Sequence, residues 1–324
     1  MKVCLVGHFD DNIDEGVRNI TKNIFNNLKN TDISIEIVEI SSIKNLKRIK
    51  NFNADIIHFI LTPTVSGIII SKLISILNLN SKVIISAIHP SIPKNKLLRI
   101  FKVDKVLVQS LESNRLFSYL GFPTEYLYNG VNVTKFCPND EKIELREKYG
   151  ISTDQFIVLH LASLKRERNL DIFKEIQKKN NIQVLLIGRE NEDFDKELVD
   201  ELRKAECLVC IKHFKNIEDI YNLSDCYIFP TINKKACIET PLSVLEAMAC
   251  NLPVISTKFG ALPDLYSNNN DNGLFFVNND EDILEIIDIL QNKNVEIRTR
   301  NDILQYSWEK IIERLGMIYE TMLQ

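Results

Sequence analysis

IETPLSVLEAMACNLPVISTKFGALPD, residues 238–264, sets an apolar helix immediately before a short apolar strand. Thr240 is a preferred N-cap residue, and Pro241 suits the first helical position, where its missing N–H would have no partner anyway. From Leu242 to Cys250 only Ser243 and Glu246 are polar, and a helix apolar nearly all round is a buried one. PVIST then follows as the kind of continuous run that a strand covered on both faces requires. Glu239, Ser243 and Glu246 are spaced i, i+4, i+7, which predicts one polar stripe on that helix. Glutamate is seldom fully buried without a partner, so the stripe is a candidate site. Its carboxylates suit hydroxyl groups, and the free N–H groups and positive dipole end of the helix start suit phosphate. A nucleotide-sugar combines those two chemistries. The structural alternative is a core helix in which Glu246 pairs with an Arg or a Lys.

The same alternation runs through the chain. Strand candidates are VCLV (3–6), IEIVEI (35–40), DIIHFI (55–60), KVIISAI (82–88) and DKVLVQ (104–109) in the first half. FIVLHLA (156–162), IQVLLIG (182–188), CLVCI (207–211), CYIFP (226–230) and PVIST (253–257) follow in the second. Helix-length segments separate them over 15–29, 65–78, 111–120, 169–179, 195–204 and 281–291. Continuous Val/Ile/Leu runs suit parallel strands, and this alternation predicts a doubly wound α/β architecture. The turn signal Tyr128-Asn129-Gly130 and the stretch FCPND (136–140) mark a boundary before a new helix, EKIELREKYG, ending at Gly150. The expected organisation is one α/β domain over 1–138, a second over 139–300, and a closing helix within 301–324 that packs back across the boundary. Ligands of such sheets bind at the carboxyl ends of the strands.

With 324 residues, 45% hydrophobic and 26% charged, the composition is ordinary for a soluble globular chain of two domains. Met1 leads straight into the strand KVCLV, which predicts a chain without a signal segment. The most apolar helix candidate, VSGIIISKLISILNL (65–79), is interrupted by Lys72 and is short for a bilayer span. Seven scattered cysteines argue against a disulfide framework and for a reduced, cytoplasmic setting. Cys207 and Cys210 form a lone CxxC on an apolar run and read as strand thiols. Residues 1–138 hold 17 Lys+Arg against 11 Asp+Glu, and the remainder is acidic. In that basic half, IPKNKLLRIFKVDK (92–105) sets Lys96, Arg99 and Lys102 among Leu97, Leu98, Ile100 and Phe101. This is the pattern of a peripheral membrane contact through 93–105, or of an edge helix packed on its own domain. The motifs GxGxxG, the phosphate-loop lysine and HExxH are missing, against a dehydrogenase, a P-loop NTPase or a zinc protease. Nothing points to nucleic acid. Asp193-Phe194-Asp195 has the DxD form of some metal-dependent sugar transferases. Before KELVDELRK it reads more simply as acidic residues at a helix start, and no metal is expected.

IEDIYNLSDCYIFPT (217–231), LEAMACNLPVIST (245–257), FGALPD (259–264) and DNGLFFV (271–277) resemble, in this order, the donor-site block of the retaining glycosyltransferase family 4 enzymes. YNGVNVTKFCP (128–138) is similar to that family's Asn-Gly-Val turn before its second domain, and YSWEKIIERLGMIYETM (306–322) to its closing helix. The resemblance covers most of the chain. It implies the GT-B arrangement, two Rossmann-like doubly wound domains facing across a cleft. By this resemblance Glu246 matches the second of two glutamates on the donor helix and holds ribose hydroxyls. Glu239 stands near the first, which binds the transferred sugar, although the full spacing falls on Ile238. Leu242 and Ser243 open the same helix. In the loop after FIVLHLA, Arg168 matches a cation at the diphosphate, Ser163 stands where the family carries an arginine, and Lys165 and Arg166 lie close by. Phe214 is a candidate stacking partner for the base. In the first domain Gly16 matches the second glycine of a loop under the diphosphate, Glu15 replaces the first, and His89 matches a histidine on the donor sugar.

The resemblance implies transfer of a sugar from a nucleoside-diphosphate sugar to a hydroxyl acceptor, on a glycan or a lipid-linked carrier. Retention of configuration, independence of metal and cofactor, and a place in cell-envelope or polysaccharide synthesis belong to the same expectation. Candidate catalytic residues are Arg168, His89 and Glu239. Candidate donor ligands are Gly16, Glu239, Leu242, Ser243, Glu246, Arg168 and Lys165. Sugar-nucleotide epimerases and phosphorylases use the same fold. The departures at Ser163, Glu15 and Ile238 leave open a nucleotide-sugar binder without turnover.

Overall fold

The strands at 2–7, 56–61 and 156–161 are buried along nearly their whole length, as parallel strands between two helical layers must be. The computed structural model describes residues 1–8, 15–39, 43–90, 93, 95–190, 193–266, 272–293 and 295–324, without the side chains of 15 and 43–46. Its strands are β1 (Lys2–Gly7), β2 (Ser34–Glu39), β3 (Ile56–Leu61), β4 (Lys82–Ala87), β5 (Lys105–Val108), β6 (Thr124–Tyr126), β7 (Phe156–Leu161), β8 (Ile182–Gly188), β9 (Leu208–Ile211), β10 (Cys226–Phe229), β11 (Val254–Thr257) and β12 (Leu274–Val277). Its helices are α1 (Glu15–Leu28), α2 (Ile43–Phe52), α3 (Val65–Leu77), α4 (Leu111–Tyr119), α5 (Lys142–Tyr149), α6 (Ile172–Gln177), α7 (Lys196–Lys204), α8 (Ile217–Asn222), α9 (Leu242–Ala249), α10 (Leu262–Leu265), α11 (Asp280–Asn292), α12 (Thr299–Ile303) and α13 (Trp308–Leu323). Short 3₁₀ turns cover Lys96–Phe101, Arg166–Arg168 and Leu304–Tyr306. Among the described residues no helix is long and apolar enough to cross a membrane.

Two units result, Met1–Gly130 with Cys237–Thr240 and Tyr306–Gln324, and Val131–Ala236 with Pro241–Gln305. Residues 131–138 therefore belong to the second unit. Each unit holds one sheet whose strand pairs are parallel, so the doubly wound α/β class read from the sequence is the observed one.

In the first unit the strand order is β2-β1-β3-β4-β5-β6, which reverses direction between β1 and β3. A core of Val, Ile, Leu and Phe side chains, including Phe59, Ile85 and Phe117, packs against the sheet. Burying each such side chain is worth about 1.5–3 kcal/mol. Helix α13 packs on α1, and the fully buried His58 ties it to the sheet. His58 Nδ1 lies 2.6 Å from the Tyr319 hydroxyl and its Nε2 lies 2.7 Å from Ser86 Oγ. Burial pushes this imidazole down to about 3, so it stays neutral at ordinary pH. Gly130 sits against the start of α13. A Cβ there would fall 2.5 Å from Trp308 Cδ2 and 3.0 Å from its Cα, so the glycine of the Asn-Gly turn is needed for close approach.

The basic segment 92–105 does not form a long amphipathic helix. Asn95 caps a 3₁₀ turn over Lys96–Phe101 that buries Leu98 and leaves Leu97 and Ile100 exposed. Arg99 lies over the Tyr119 ring and donates to the Tyr119 carbonyl at 2.9 Å. Ile92 and Lys94 lie outside the described residues.

The second unit has the order β12-β11-β10-β7-β8-β9, the order of a dinucleotide-type Rossmann sheet, which reverses between β7 and β10. Its core joins β7, β8 and β10 to α6, α7 and α11. Arg300 on α12 donates to the carbonyls of Phe136 and Ala249 and so fixes the C-terminal end of α9, whose last carbonyls have no helical partner. The seven cysteines are free thiols. Burial pushes Cys207 up to about 12, which makes it a packing residue rather than a nucleophile.

Candidate functional site

A doubly wound sheet opens a crevice where its strand order reverses, and in the second unit that point lies at the carboxyl ends of β7 and β10. Three stretches converge there: the loop after β7, the chain after β10, and the first turn of α9. Tyr227 links them. Its hydroxyl is 2.7 Å from Ser243 Oγ on α9 and 3.3 Å from the carbonyl of Leu161, the last residue of β7.

Helix α9 starts one step later than the sequence predicts. Pro241 is the N-cap, with extended backbone, and the helix begins at Leu242. Because the Pro241 backbone is itself extended, it takes the non-helical capping position that the sequence reading gave to Thr240. The helix's own ladder begins at Val244, whose N–H reaches the Pro241 carbonyl at 3.2 Å. The N–H groups of Leu242 and Ser243 therefore stand at the positive end of the dipole, the arrangement that suits an anion.

The predicted stripe of Glu239, Ser243 and Glu246 does not form, because Glu239 precedes the helix and belongs to the first unit. Its carboxylate takes hydrogen bonds from the hydroxyls of Ser110 (3.1 Å) and Ser113 at the start of α4, and its backbone N–H donates to the Ile88 carbonyl at 2.9 Å. Thr240 Oγ1 donates to Gln109 Oε1, Gln109 Nε2 to Asn129 Oδ1, and Asn129 Nδ2 to the Thr240 carbonyl. These three side chains close a ring that pins residues 237–240 to the first unit. Glu239 is only 1% exposed, and its Oε2 has no partner.

Burial raises the Glu239 carboxyl from 4.5 to about 7, against the lowering effect of Ser113 and Ser110. A folded-state value above the unfolded one means that the folded protein keeps the proton longer. The associated stability is complete below pH 4.5 and is lost as pH rises through 7, on the order of 3 kcal/mol in all. Glu239→Gln is therefore expected to gain on the wild type in melting temperature between pH 5 and pH 8. Parallel melting curves with a constant difference across that range would show that Glu239 does not titrate as described.

Glu246 does sit on α9, in the second unit. The Tyr221 hydroxyl donates to its Oε2 at 2.8 Å. Tyr221 is fully buried on α8, with its ring edge-on to Phe136. Burial raises the Glu246 carboxyl to about 7, and the Tyr221 hydrogen bond, Arg189 and Lys135 partly offset that rise. Sequence reading missed Tyr221, Tyr227 and Arg189. The signal was available for the first two, since a buried tyrosine hydroxyl needs a polar partner.

Arg168 ends the 3₁₀ turn after β7, and its Nε donates to Ser163 Oγ at 3.0 Å. Ser163 thus orients the arginine where the family pattern would carry a second cation. Lys165 is half-buried and lies 3.8 Å from the exposed Asp193. Arg166 is engaged elsewhere, with Glu201 at 2.5 Å and Asp195 at 3.4 Å, so it does not supply the missing charge. Arg166 and Lys174 hold Glu201 down at about 2. Asp195 of the DxD stretch accepts from Leu198 N at 3.0 Å as the cap of α7. Phe214 is half-buried, with the Tyr149 ring at 6.1 Å and the Lys212 ammonium 4.7 Å from its centroid.

In the first unit His89 is buried just beyond β4, and Gly16 lies half-buried in the first turn of α1. Asp14 and the Glu15 side chain lie outside the described residues.

The sequence profile of the family Glycosyl transferases group 1 matches residues 141–307. Alpha-monoglucosyldiacylglycerol synthase of Acholeplasma laidlawii is 26% identical over 193 residues, which cover 53% of this chain and 47% of that protein. N-acetyl-alpha-D-glucosaminyl L-malate synthase of Bacillus anthracis is 24% identical over 210 residues, 61% of this chain and 54% of the relative. The chain spans about half the length of these curated relatives. Among solved structures, Anabaena HepE in complex with UDP-glucose has a TM-score of 0.75 at 14% identity, covering 99% of this chain and 100% of that one. Sucrose-phosphate synthase from Thermosynechococcus elongatus has a TM-score of 0.78 at 13% identity, covering 99% and 98%. These two likenesses are of fold.

Proposed function

Because the chain belongs to the glycosyl transferases group 1 family, we propose that it transfers a sugar from a nucleoside-diphosphate sugar to a hydroxyl acceptor, with retained configuration. The observation that carries this reading is the Tyr227 bridge, which sets the open N–H groups of α9 beside the loop bearing Arg168. The difficult event in such a transfer is the growth of negative charge on the departing diphosphate. Fixed donors aimed at that charge are the main catalyst a protein can offer. Arg168, Lys165 and the N–H groups of Leu242 and Ser243 supply them without a divalent ion. Glu246, held by Tyr221, takes the ribose hydroxyls. No enzyme nucleophile is required when the leaving group departs and the acceptor attacks on one face of the sugar.

The acceptor assigned here is lipid-linked or a glycan. The Acholeplasma relative, a glucosyldiacylglycerol synthase by name, supports the lipid side. So does the exposure of Leu97 and Ile100 among Lys96, Arg99 and Lys102, which favours a peripheral membrane contact through 93–105.

A thermal-shift panel of UDP-, GDP-, ADP- and dTDP-sugars, run without metal, tests the donor site. Ligand that binds only the folded state raises the melting temperature by mass action. One selective donor is expected, with UDP-glucose first in the panel because the Anabaena structure holds it. Release of nucleoside diphosphate should then require an acceptor. An altered sugar nucleotide without acceptor indicates an epimerase, dependence on inorganic phosphate indicates a phosphorylase, and a flat panel rejects the reading.

A further inference from the structure

Helix α3 is built the wrong way round for a helix that ends at water. Its inward face buries Ile68, Ser71 and Ile74. Its outward face is also apolar, with Leu73, Ile76 and Leu77 exposed by 51%, 54% and 66%, and Leu79 just beyond it by 86%. The 3₁₀ turn over Lys96–Phe101 packs against α3 and adds Leu97 and Ile100, exposed by 70% and 71%. An apolar area of this kind, rimmed by polar residues, marks a site of association.

The surrounding charge is predominantly positive, although Glu36 pairs with Arg48 and Asp104 lies 3.9 Å from Lys82. Between Ile40 and Val103 the sequence holds ten Lys and Arg and a single carboxylate, Asp55. A cavity of about 180 Å³ opens beside the C-terminal end of α3, lined by Lys47 and Lys50 of α2 and by Ile49, Ile74, Leu77 and Asn78. Apolar walls below two ammonium groups match a lipid at its phosphate, where headgroup and acyl chain meet. A second copy of this chain fits less well, since a symmetric contact would set like charges against each other.

We propose that the outward face of α3, with the α2–α3 cavity, is the principal docking surface of this protein for an anionic lipid bilayer. Leu73, Ile76, Leu77 and Leu79 enter the acyl boundary, and Lys47 and Lys50 meet headgroup phosphates at the cavity mouth. The inference deepens the membrane part of the function proposed above. It moves the main anchor from 93–105 to α3, with the 3₁₀ turn as an accessory.

Co-sedimentation of the full chain with vesicles tests it, with no sugar donor present, so the result is independent of catalysis. Vesicles containing phosphatidylglycerol should carry the protein into the pellet at low salt, and pure phosphatidylcholine vesicles should not. Leu73→Gln/Ile76→Gln and Lys47→Gln/Lys50→Gln should each lower the partition coefficient by roughly tenfold or more, with unchanged melting curves. Leu97→Gln/Ile100→Gln should lower it less. Loss confined to the last pair would keep the 93–105 contact and overturn the α3 assignment. No pelleting of the wild type would overturn both. Concentration-dependent dimerisation that Leu73→Gln/Ile76→Gln abolishes, without vesicle binding, would assign the surface to a second copy instead.

Discussion

Arg168→Ala is expected to lower turnover by about 10²–10³-fold, the range found when a single pre-aligned donor to a developing negative charge is removed. The melting temperature should change little. The arginine is half-buried, and the bond from its Nε goes to the neutral Ser163 hydroxyl at the edge of a loop rather than into a buried ion pair. Arg166, two residues earlier, is held by Glu201 and Asp195 and is not expected to substitute. Arg168→Lys keeps the charge but loses the planar fork and should fall between the wild type and alanine. Ser163→Ala should act more weakly in the same direction, because it only frees the guanidinium to move. Single-turnover rates with saturating donor and acceptor measure these effects. Wild-type rates in Arg168→Ala would remove this residue from the reaction.

For Glu246→Gln the expected loss is in donor affinity, by roughly 10–100-fold, which corresponds to about 1.5–3 kcal/mol for hydrogen bonds to a charged acceptor. Glutamine keeps an oxygen for the Tyr221 hydroxyl, so the fold should persist. The raised carboxyl, at about 7, adds a second test. The form that accepts two ribose hydroxyls is the ionised one, so wild-type affinity should weaken as pH falls from 8 to 6. The glutamine variant should lack that slope. Calorimetric titration of the donor at both pH values measures this. Equal affinity of the two proteins at pH 8 would place the ribose elsewhere.

The two sheets were legible because buried parallel strands are written as unbroken apolar runs, and each of the ten runs read as strands carries one. The two strands outside that set are the last in each unit's sequence and lie at sheet edges. Thr124–Tyr126 has three residues, two of them polar, and Leu274–Val277 has four. An edge strand pairs on one side only, so little sequence suffices to specify it. Helix α9 was legible for the same reason as the strands, through its apolar periphery around Glu246. Glu239 was misplaced because spacing along a helix has meaning only within the helix, and Pro241 ends that range before position 239. The role of Ser163 was hidden because its meaning depends on Arg168 five residues away, across a turn whose geometry no periodicity encodes. Tyr221 and Glu246 meet from α8 and α9, and only packing shows that pair.

The first unit is assembled from three separated stretches of chain, the last of them bearing Trp308 and Tyr319. A ribosome releases its product from the amino end, and domains usually fold as they emerge. Here the strands β1 to β6 emerge early, yet the His58 pocket and the seat at Gly130 stay open until α13 has been made. The second unit, whose chain lies wholly between those stretches, is free to finish first. The order in which the units can be completed is thus expected to be the reverse of the order in which they begin to emerge. The nascent first half must wait with its apolar seats uncovered, and a nonsense codon anywhere before residue 308 would cripple the unit made first.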